Sequence, residues 1–84
     1  FDGRLDGLVD VVGMPLPRAL PAHDDESWAR QFDLVLRHAF LAVQLGEPLL
    51  AKDSSVVFVG SMGGILARGG LALSYATAKA GLHH

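Results

Sequence analysis

The chain has 84 residues, of which 50% are hydrophobic and 19% charged, and its formal net charge is −2. This length allows one domain at most, of an ordinary globular composition. Seven scattered basic residues give no patch for nucleic acid, and the lack of cysteine excludes disulfides and thiolate metal sites. No apolar run approaches the roughly 18–20 residues of a membrane span, so we expect a cytoplasmic protein with neither a membrane nor a nucleic-acid partner.

The first predicted strand covers residues 8–12, after residues 1–7, which we interpret as the tail of a helix and its exit turn. Its nearly unbroken apolar run is typical of a parallel strand that is covered on both faces. Asp10 interrupts the run, and because an unpaired buried carboxylate is costly, it must find donors or contact a cofactor. Three prolines in residues 14–23 exclude a helix and predict an extended loop, which either lines a pocket or simply connects two elements.

A long helix is predicted next, beginning at residues 24–27, whose acidic side chains suit the positive end of a helix dipole. Gly46 and Pro48 weaken its end, and a turn at 52–54 leads into a second buried strand at 55–59. Strand, helix and strand in one sheet predict a right-handed crossover. Apolar residues recur at helical spacing and predict the core face of the helix: Trp28, Phe32, Val35, Leu36, Ala39, Phe40 and Val43.

Chemistry-bearing residues follow the second strand, in the stretches Gly60-Ser61-Met62-Gly63-Gly64 and Ser74-Tyr75-Ala76-Thr77-Ala78-Lys79-Ala80-Gly81. The second stretch predicts a helix, which places Tyr75 and Lys79 on one face about 6 Å apart along the axis. Ser61 stands at a strand's carboxyl end, where open α/β sheets bind ligands. A neighbouring ammonium lowers the pKa of a phenol toward neutrality, so the pair is a candidate acid or base. Taken alone, such a pair is more often a core residue and a solvated charge.

The neighbouring motifs favour the chemical interpretation. A strand ending in Gly-Ser, a Gly-rich loop and Tyr-x-x-x-Lys-Ala-Gly, with the tyrosine fourteen residues after Ser61, resemble the short-chain dehydrogenase/reductase family. The likeness extends upstream through Gly3-Arg4-Leu5-Asp6-Gly7-Leu8-Val9 and through the helix residues Trp28, Phe32 and Leu36.

The resemblance implies an α/β fold, a partial Rossmann-like doubly wound parallel sheet with about two strands and two helices. In that family a Gly-rich phosphate-binding loop lies upstream of this region, and a substrate-binding segment lies downstream of it. We therefore expect residues 1–84 to be the central part of a single NAD(P)-binding domain, truncated at both ends.

The resemblance also implies a function: NAD(P)-dependent oxidation of an alcohol or reduction of a carbonyl, without a metal. Tyr75 would be the general acid/base, and Ser61 would orient the substrate carbonyl and stabilise charge on its oxygen. Lys79 would hold the nicotinamide ribose and favour the ionised phenol. The resemblance implies that Lys79 and Tyr75 both contact the cofactor. NAD and NADP are not distinguished. The expected partners are a small-molecule alcohol or carbonyl and further copies of the chain, in a homodimer or homotetramer.

One segment and one further position depart from the family's pattern. Where the family has Asn-Asn-Ala-Gly after the first strand, this chain has Asp10-Val11-Val12-Gly13, so that a cofactor contact is carried over to Gly13 and Asp10 by position. Val35 stands where the family usually has an asparagine that kinks the helix and holds a water linked to the lysine. A valine side chain can do neither. In the family, the same helix commonly continues to about Ala51.

These departures leave two alternatives open. One is a catalytically silent relative that keeps the fold as an interaction or oligomerisation module. The other is a truncated product that has no function alone.

Overall fold

The computed structural model describes residues 3–66 and 70–84. Two parallel strands, β1 (Leu5–Asp10) and β2 (Leu50–Phe58), form a two-stranded sheet. The connection between them holds a long helical segment, and a further helix follows β2. The α/β class and the strand–helix–strand unit predicted from the sequence are therefore confirmed.

The first strand lies earlier in the chain than predicted. Leu5, Asp6 and Gly7 belong to β1, so the helix tail and exit turn predicted for residues 1–7 are wrong for residues 5–7, while residues 1 and 2 lie outside the described residues. The backbone of this segment pairs with β2, with Gly7 opposite Ser55. The strand ends at Asp10 because the Asp10 carboxylate accepts the Val12 N–H at 2.9 Å, a local bond that takes the place of a hydrogen bond to the neighbouring strand.

The second strand begins at Leu50 rather than at residue 55, and it is irregular. Leu5 pairs with Leu50 and Gly7 with Ser55, so the intervening residues of β2 bulge out of register. Asp53 lies in this bulge with a φ of 65°, a left-handed conformation that aspartate tolerates. The turn predicted at 52–54 is therefore an interruption within the strand and does not precede it.

The long helical segment consists of α1 (Asp25–Phe32), a π-helical stretch (Asp33–Arg37) and α2 (His38–Gly46). Asp24 caps α1, as the acidic start predicted: its carboxylate accepts the Ser27 N–H at 2.8 Å, and Ser27 Oγ accepts the Asp24 N–H at 3.1 Å.

The predicted core stripe of this segment is only partly buried. The fully buried positions are Gln31 and Val35, with Ala39 nearly so, one turn apart along the face that the segment turns inward. Trp28 and Phe40 are 37% and 60% exposed, so their assignment to the core is wrong. They lie on a neighbouring stripe, where Trp28 stacks on Phe32 with ring centroids 5.0 Å apart. A spacing of four residues fits both stripes equally well, which is why the sequence pattern did not separate them.

The helix ends earlier than the family pattern implied. A 3₁₀ turn, Glu47–Leu49, follows α2 and contains Pro48. Proline has no N–H to continue the helical bonding, and its ring clashes with the carbonyl four residues earlier, so the helix does not reach Ala51. The segment 14–23 is extended as predicted, apart from one 3₁₀ turn, Leu20–Ala22, in which Pro21 occupies a position that needs no donor.

The sheet is not covered on both faces within the described residues. Asp10 is buried, whereas Val9 and Val57, which pair across the two strands, are 66% and 49% exposed. Side chains alternate between the two faces of a strand, so Val9 points away from the face that buries Asp10. None of the helices in the described ranges is both long enough and apolar enough to cross a bilayer.

Candidate active site

Helix α3 (Leu73–His83) contains the whole segment 74–81 that was predicted to be helical. Tyr75 and Lys79 lie one turn apart on it, and the Lys79 ammonium stands 5.8 Å from the centroid of the Tyr75 ring. Lys79 is only 4% exposed, and its Nζ donates a hydrogen bond of 2.9 Å to the carbonyl oxygen of Val59, just after β2. The bond uses one of the three donors of the ammonium and anchors α3 to the strand end.

Ser61 follows β2 and lies near Lys79 and Tyr75. Its Oγ accepts the Gly63 N–H at 3.1 Å and thereby caps a short 3₁₀ turn, Met62–Gly64. A Cβ placed on Gly63 would lie 3.3 Å from Ser61 Oγ and 3.8 Å from Cε1 of Tyr75, so the serine hydroxyl and the phenol ring flank one glycine. The structure thus brings Ser61, Tyr75 and Lys79 together at the carboxyl end of β2.

Gly13 lies beside the lysine. Its φ is +150°, a conformation that side chains rarely adopt, and a Cβ there would stand 3.5 Å from Lys79 Nζ and 3.8 Å from Cγ2 of Val35. A side chain at this position would both strain the backbone and crowd the ammonium. The small residue keeps open the space between the end of β1 and α3.

Asp10 is turned toward the helices. Only 9% of it is exposed, and its carboxylate lies against His38, whose Nε2 stands 2.9 Å from Oδ1 and 2.8 Å from Oδ2; only the Oδ1 contact has hydrogen-bond geometry. Burial by itself would raise the pKa of Asp10. The hydrogen bonds from His38 and the Val12 N–H, together with the charges of His38 and Lys79, outweigh burial and hold that pKa below its ordinary value.

Val35 occupies the middle of the π-helical stretch and is fully buried. The widened turn therefore exists without an asparagine side chain at this position, since it is a property of the backbone from Asp33 to Arg37. Single-turn π-bulges of this kind are frequent at functional sites. Val35 places an apolar methyl group beside Gly13 and Lys79, where the family pattern has an amide.

Two further side chains support this region and were not singled out from the sequence. Gln31 is fully buried and ties the proline-rich loop to α1: its Oε1 accepts the Leu16 N–H at 2.7 Å, and its Nε2 donates to the Met14 carbonyl at 2.9 Å. His83 accepts the Ser61 N–H through Nε2 at 3.0 Å. The only signal for His83 in the sequence is its spacing of four residues from Lys79.

An open cavity of about 540 Å³ runs along α3 next to Gly63. Most of its wall is apolar, and the lining includes Leu20, Ile65, Leu66, Leu73 and Ala76. Among the described residues there is no group of three or more histidine, aspartate or glutamate side chains that could hold a metal ion. The geometry therefore offers a hydroxyl, a phenol and an ammonium close together. The cavity lies on another face of α3, and Gly63, which flanks both Ser61 and Tyr75, borders it.

Comparison with known proteins identifies the family. The family described as Enoyl-(Acyl carrier protein) reductase matches residues 1–84, the whole chain. A solved structure from Burkholderia xenovorans, assigned to the short-chain dehydrogenases/reductases, superposes with a TM-score of 0.83 at 38% identity over 94% of this chain. The chain belongs to the short-chain dehydrogenase/reductase family. The family resemblance inferred from the sequence motifs is thereby confirmed.

Two further similarities lie within this family. The rhamnolipids biosynthesis 3-oxoacyl-[acyl-carrier-protein] reductase of Pseudomonas aeruginosa is 34% identical over 89 residues, which cover 99% of this chain and 35% of that protein. The Pseudomonas aeruginosa RhlG/NADP active-site complex superposes with a TM-score of 0.86 at 32% identity, covering 98% of this chain and 34% of that one. This short-chain dehydrogenase/reductase chain thus spans about a third of the length of the relatives that it matches.

Proposed function

We propose that residues 1–84 are the central part of a single NAD(P)-binding domain whose protein interconverts an alcohol and a carbonyl. The observation that carries the proposal is the convergence of the Ser61 hydroxyl, the Tyr75 ring and the Lys79 ammonium at the end of β2. The exposed apolar pair Val9 and Val57 supports the larger domain, because such a face needs a covering element.

The residues of this region fit a nicotinamide cofactor. A buried ammonium next to a glycine with positive φ provides a donor to ribose hydroxyls in a space that a side chain would fill. Lys79 and Tyr75 would contact the cofactor directly, and Gly13 would let the backbone approach it. The carboxylate of Asp10 is engaged by His38 and the Val12 N–H, so we propose that Asp10 acts on the cofactor site by fixing the turn at Gly13.

The chain's own residues would handle the proton and the oxygen. NAD or NADP, when bound, supplies or accepts the hydride. In the reductive direction Tyr75 donates its phenolic proton to the substrate oxygen, and in the oxidative direction the phenolate takes that proton back. The Ser61 hydroxyl donates a hydrogen bond to the same oxygen and stabilises the charge that develops there. Lys79 stabilises the phenolate through its positive charge, one turn away.

The choice of cofactor and substrate rests on relatives and on the cavity. One relative is an NADP complex, and another, at 28% identity with a TM-score of 0.87, is described as an NADH-dependent reductase, so the two cofactors remain alternatives here. The names of the relatives concern acyl groups on a carrier protein. We therefore propose a carbonyl on an acyl chain as the candidate substrate. The acyl chain would pass Gly63 to reach the apolar cavity on the neighbouring face of α3.

The remaining partner is a second copy of the protein, in a dimer or tetramer. Trp28 and Phe40 offer exposed aromatic area on the long helical segment for such a contact.

Turnover by the full-length protein tests the proposed activity. The wild type should oxidise NADH or NADPH in the presence of a 3-oxoacyl thioester, and Tyr75→Phe should reduce kcat by a factor of about 10² or more while cofactor affinity changes little. An equal kcat for Tyr75→Phe would remove the phenol from the mechanism. A wild type that neither binds nor oxidises either cofactor, yet still oligomerises, would favour the catalytically silent relative.

A further inference from the structure

We infer that His83 is a positioning residue, whose imidazole holds Ser61 in place opposite Tyr75. The Ser61 N–H donates a hydrogen bond of 3.0 Å to His83 Nε2, across 22 residues of sequence. This inference rests on the proposed function, because it assigns His83 a role in presenting the serine to the substrate oxygen. An accepting Nε2 requires the neutral ring with its proton on Nδ1.

Two glycines make room for the ring of His83. A Cβ on Gly60 would lie 2.5 Å from Nε2, and a Cβ on Gly64 would lie 2.8 Å from Cε1, both closer than real carbon atoms come. Neither glycine has a positive φ, so their backbone conformation does not require the residue type. The imidazole accounts for the missing side chain at Gly60, whereas at Gly64 both the imidazole and the α3 backbone at Lys79 and Ala80 exclude a Cβ.

The register of α3 gives the contact its functional meaning. Tyr75, Lys79 and His83 follow one another at intervals of four residues, so one helix face carries all three. Tyr75 acts on the substrate oxygen, Lys79 bonds Val59 just before the serine, and His83 bonds the serine itself. The strand end is thus attached to α3 at two points one helical turn apart.

Ser61 is fixed in two ways by this arrangement. Its backbone N–H is bound by His83, and its Oγ accepts the Gly63 N–H at 3.1 Å, which leaves the hydroxyl proton to be donated. If the imidazole bond were lost, the serine turn could shift relative to the phenol. Misplacement of an orienting group lowers the rate of the chemical step and has little effect on cofactor binding.

A pair of substitutions in the full-length protein separates this role from simple packing. His83→Gln keeps an acceptor near the position of Nε2, whereas His83→Leu keeps apolar bulk and removes the acceptor. A single neutral hydrogen bond is worth roughly a two- to tenfold change in an equilibrium. We expect His83→Leu to lower kcat by about that factor at an unchanged cofactor Kd, and His83→Gln to stay within about twofold of the wild type.

The outcomes separate this inference from the activity on which it rests. Equal losses in His83→Gln and His83→Leu, or no loss in His83→Leu, would overturn the positioning role. If His83→Leu does not fold, His83→Asn is measured instead, because the shorter asparagine amide does not reach the Ser61 N–H. The kcat of His83→Asn should then fall by the factor expected for His83→Leu. Tyr75→Phe is measured in parallel. Undiminished turnover of Tyr75→Phe would refute the proposed activity. Lost turnover of Tyr75→Phe together with normal turnover of His83→Leu would refute only the role of His83.

Discussion

Substituting Gly64 by alanine perturbs the contact between the serine turn and α3. The new Cβ would lie 2.9 Å from the Ala80 nitrogen and 2.9 Å from the Lys79 carbonyl carbon, as well as 2.8 Å from Cε1 of His83. The first two are backbone atoms within a helix, so they cannot rotate away as a side chain could. The turn that follows Ser61 would have to move instead.

The size of the effect follows from these distances. Carbon atoms in contact normally stand about 3.5–4.0 Å apart, so the turn must shift by roughly 0.6–1 Å relative to α3. Inserting one methyl group into packed structure typically costs about 1–3 kcal/mol of unfolding free energy. The shift also moves Ser61 away from Tyr75, so we expect Gly64→Ala to lower kcat as well as stability, by a factor of about ten or more.

The assay compares Gly64→Ala with Gly46→Ala in the full-length protein, by urea denaturation and by turnover. At Gly46, the last residue of α2, a Cβ would approach only Leu8 Cδ2, at an ordinary 3.7 Å. Alanine is favoured over glycine in a helix by up to about 1 kcal/mol, so Gly46→Ala should be neutral or stabilising, with normal turnover. A Gly64→Ala protein that equals the wild type in both denaturation midpoint and kcat would refute the packing of the serine turn on α3.

Two further predictions concern buried polar groups. Because the pKa of Asp10 is depressed in the fold, its ionised carboxylate stabilises the protein above the ordinary carboxyl pKa of about 4, and this stabilisation is lost as pH falls through the lower folded value. The stability difference between wild type and Asp10→Asn, from urea denaturation at a series of pH values, should therefore shrink below about pH 4, and a constant difference would contradict the pairing with His38. Gln31→Leu removes both hydrogen bonds to the proline-rich loop and leaves the Leu16 N–H and the Met14 carbonyl without this partner. The substitution should therefore lower the free energy of unfolding by about 1–3 kcal/mol and speed proteolysis of that loop. An unchanged denaturation midpoint and cleavage rate would show that other contacts hold the loop.

The elements were predictable where a local pattern determines them. Helix α3 and the strand before Ser61 follow from an apolar run, a Gly-rich loop and a helical spacing, all of which lie within thirty residues of sequence. The start of β1 was not, because Leu5 and Gly7 are in a strand only through their pairing with β2, more than forty residues later. Likewise, Trp28 has the spacing of a core residue, and only the packing of the helix shows that Gln31 occupies the inner face instead.

The candidate site divides in the same way. The motif spacing led to Ser61, Tyr75 and Lys79, and the structure brings them together. His38 and His83 were not assigned to the site from the sequence, because their partners, the Asp10 carboxylate and the Ser61 amide, lie 28 and 22 residues away along the chain. The residue spacing within a single helix or strand cannot predict such a contact. It exists only once the strand ends and the helices have been assembled.

The joint action of Ser61 and Tyr75 on one substrate oxygen is tested most directly by a double-mutant cycle on the single-turnover rate of the full-length protein. Ser61→Ala and Tyr75→Phe should each slow hydride transfer by a factor of about 10² or more, and the double variant should be little slower than the worse single one, because groups that act as a unit are not additive. Ser55→Ala, which removes an exposed hydroxyl from β2, should react at the wild-type rate. Effects that multiply in the double variant, or either single variant at the wild-type rate, would contradict a shared oxygen.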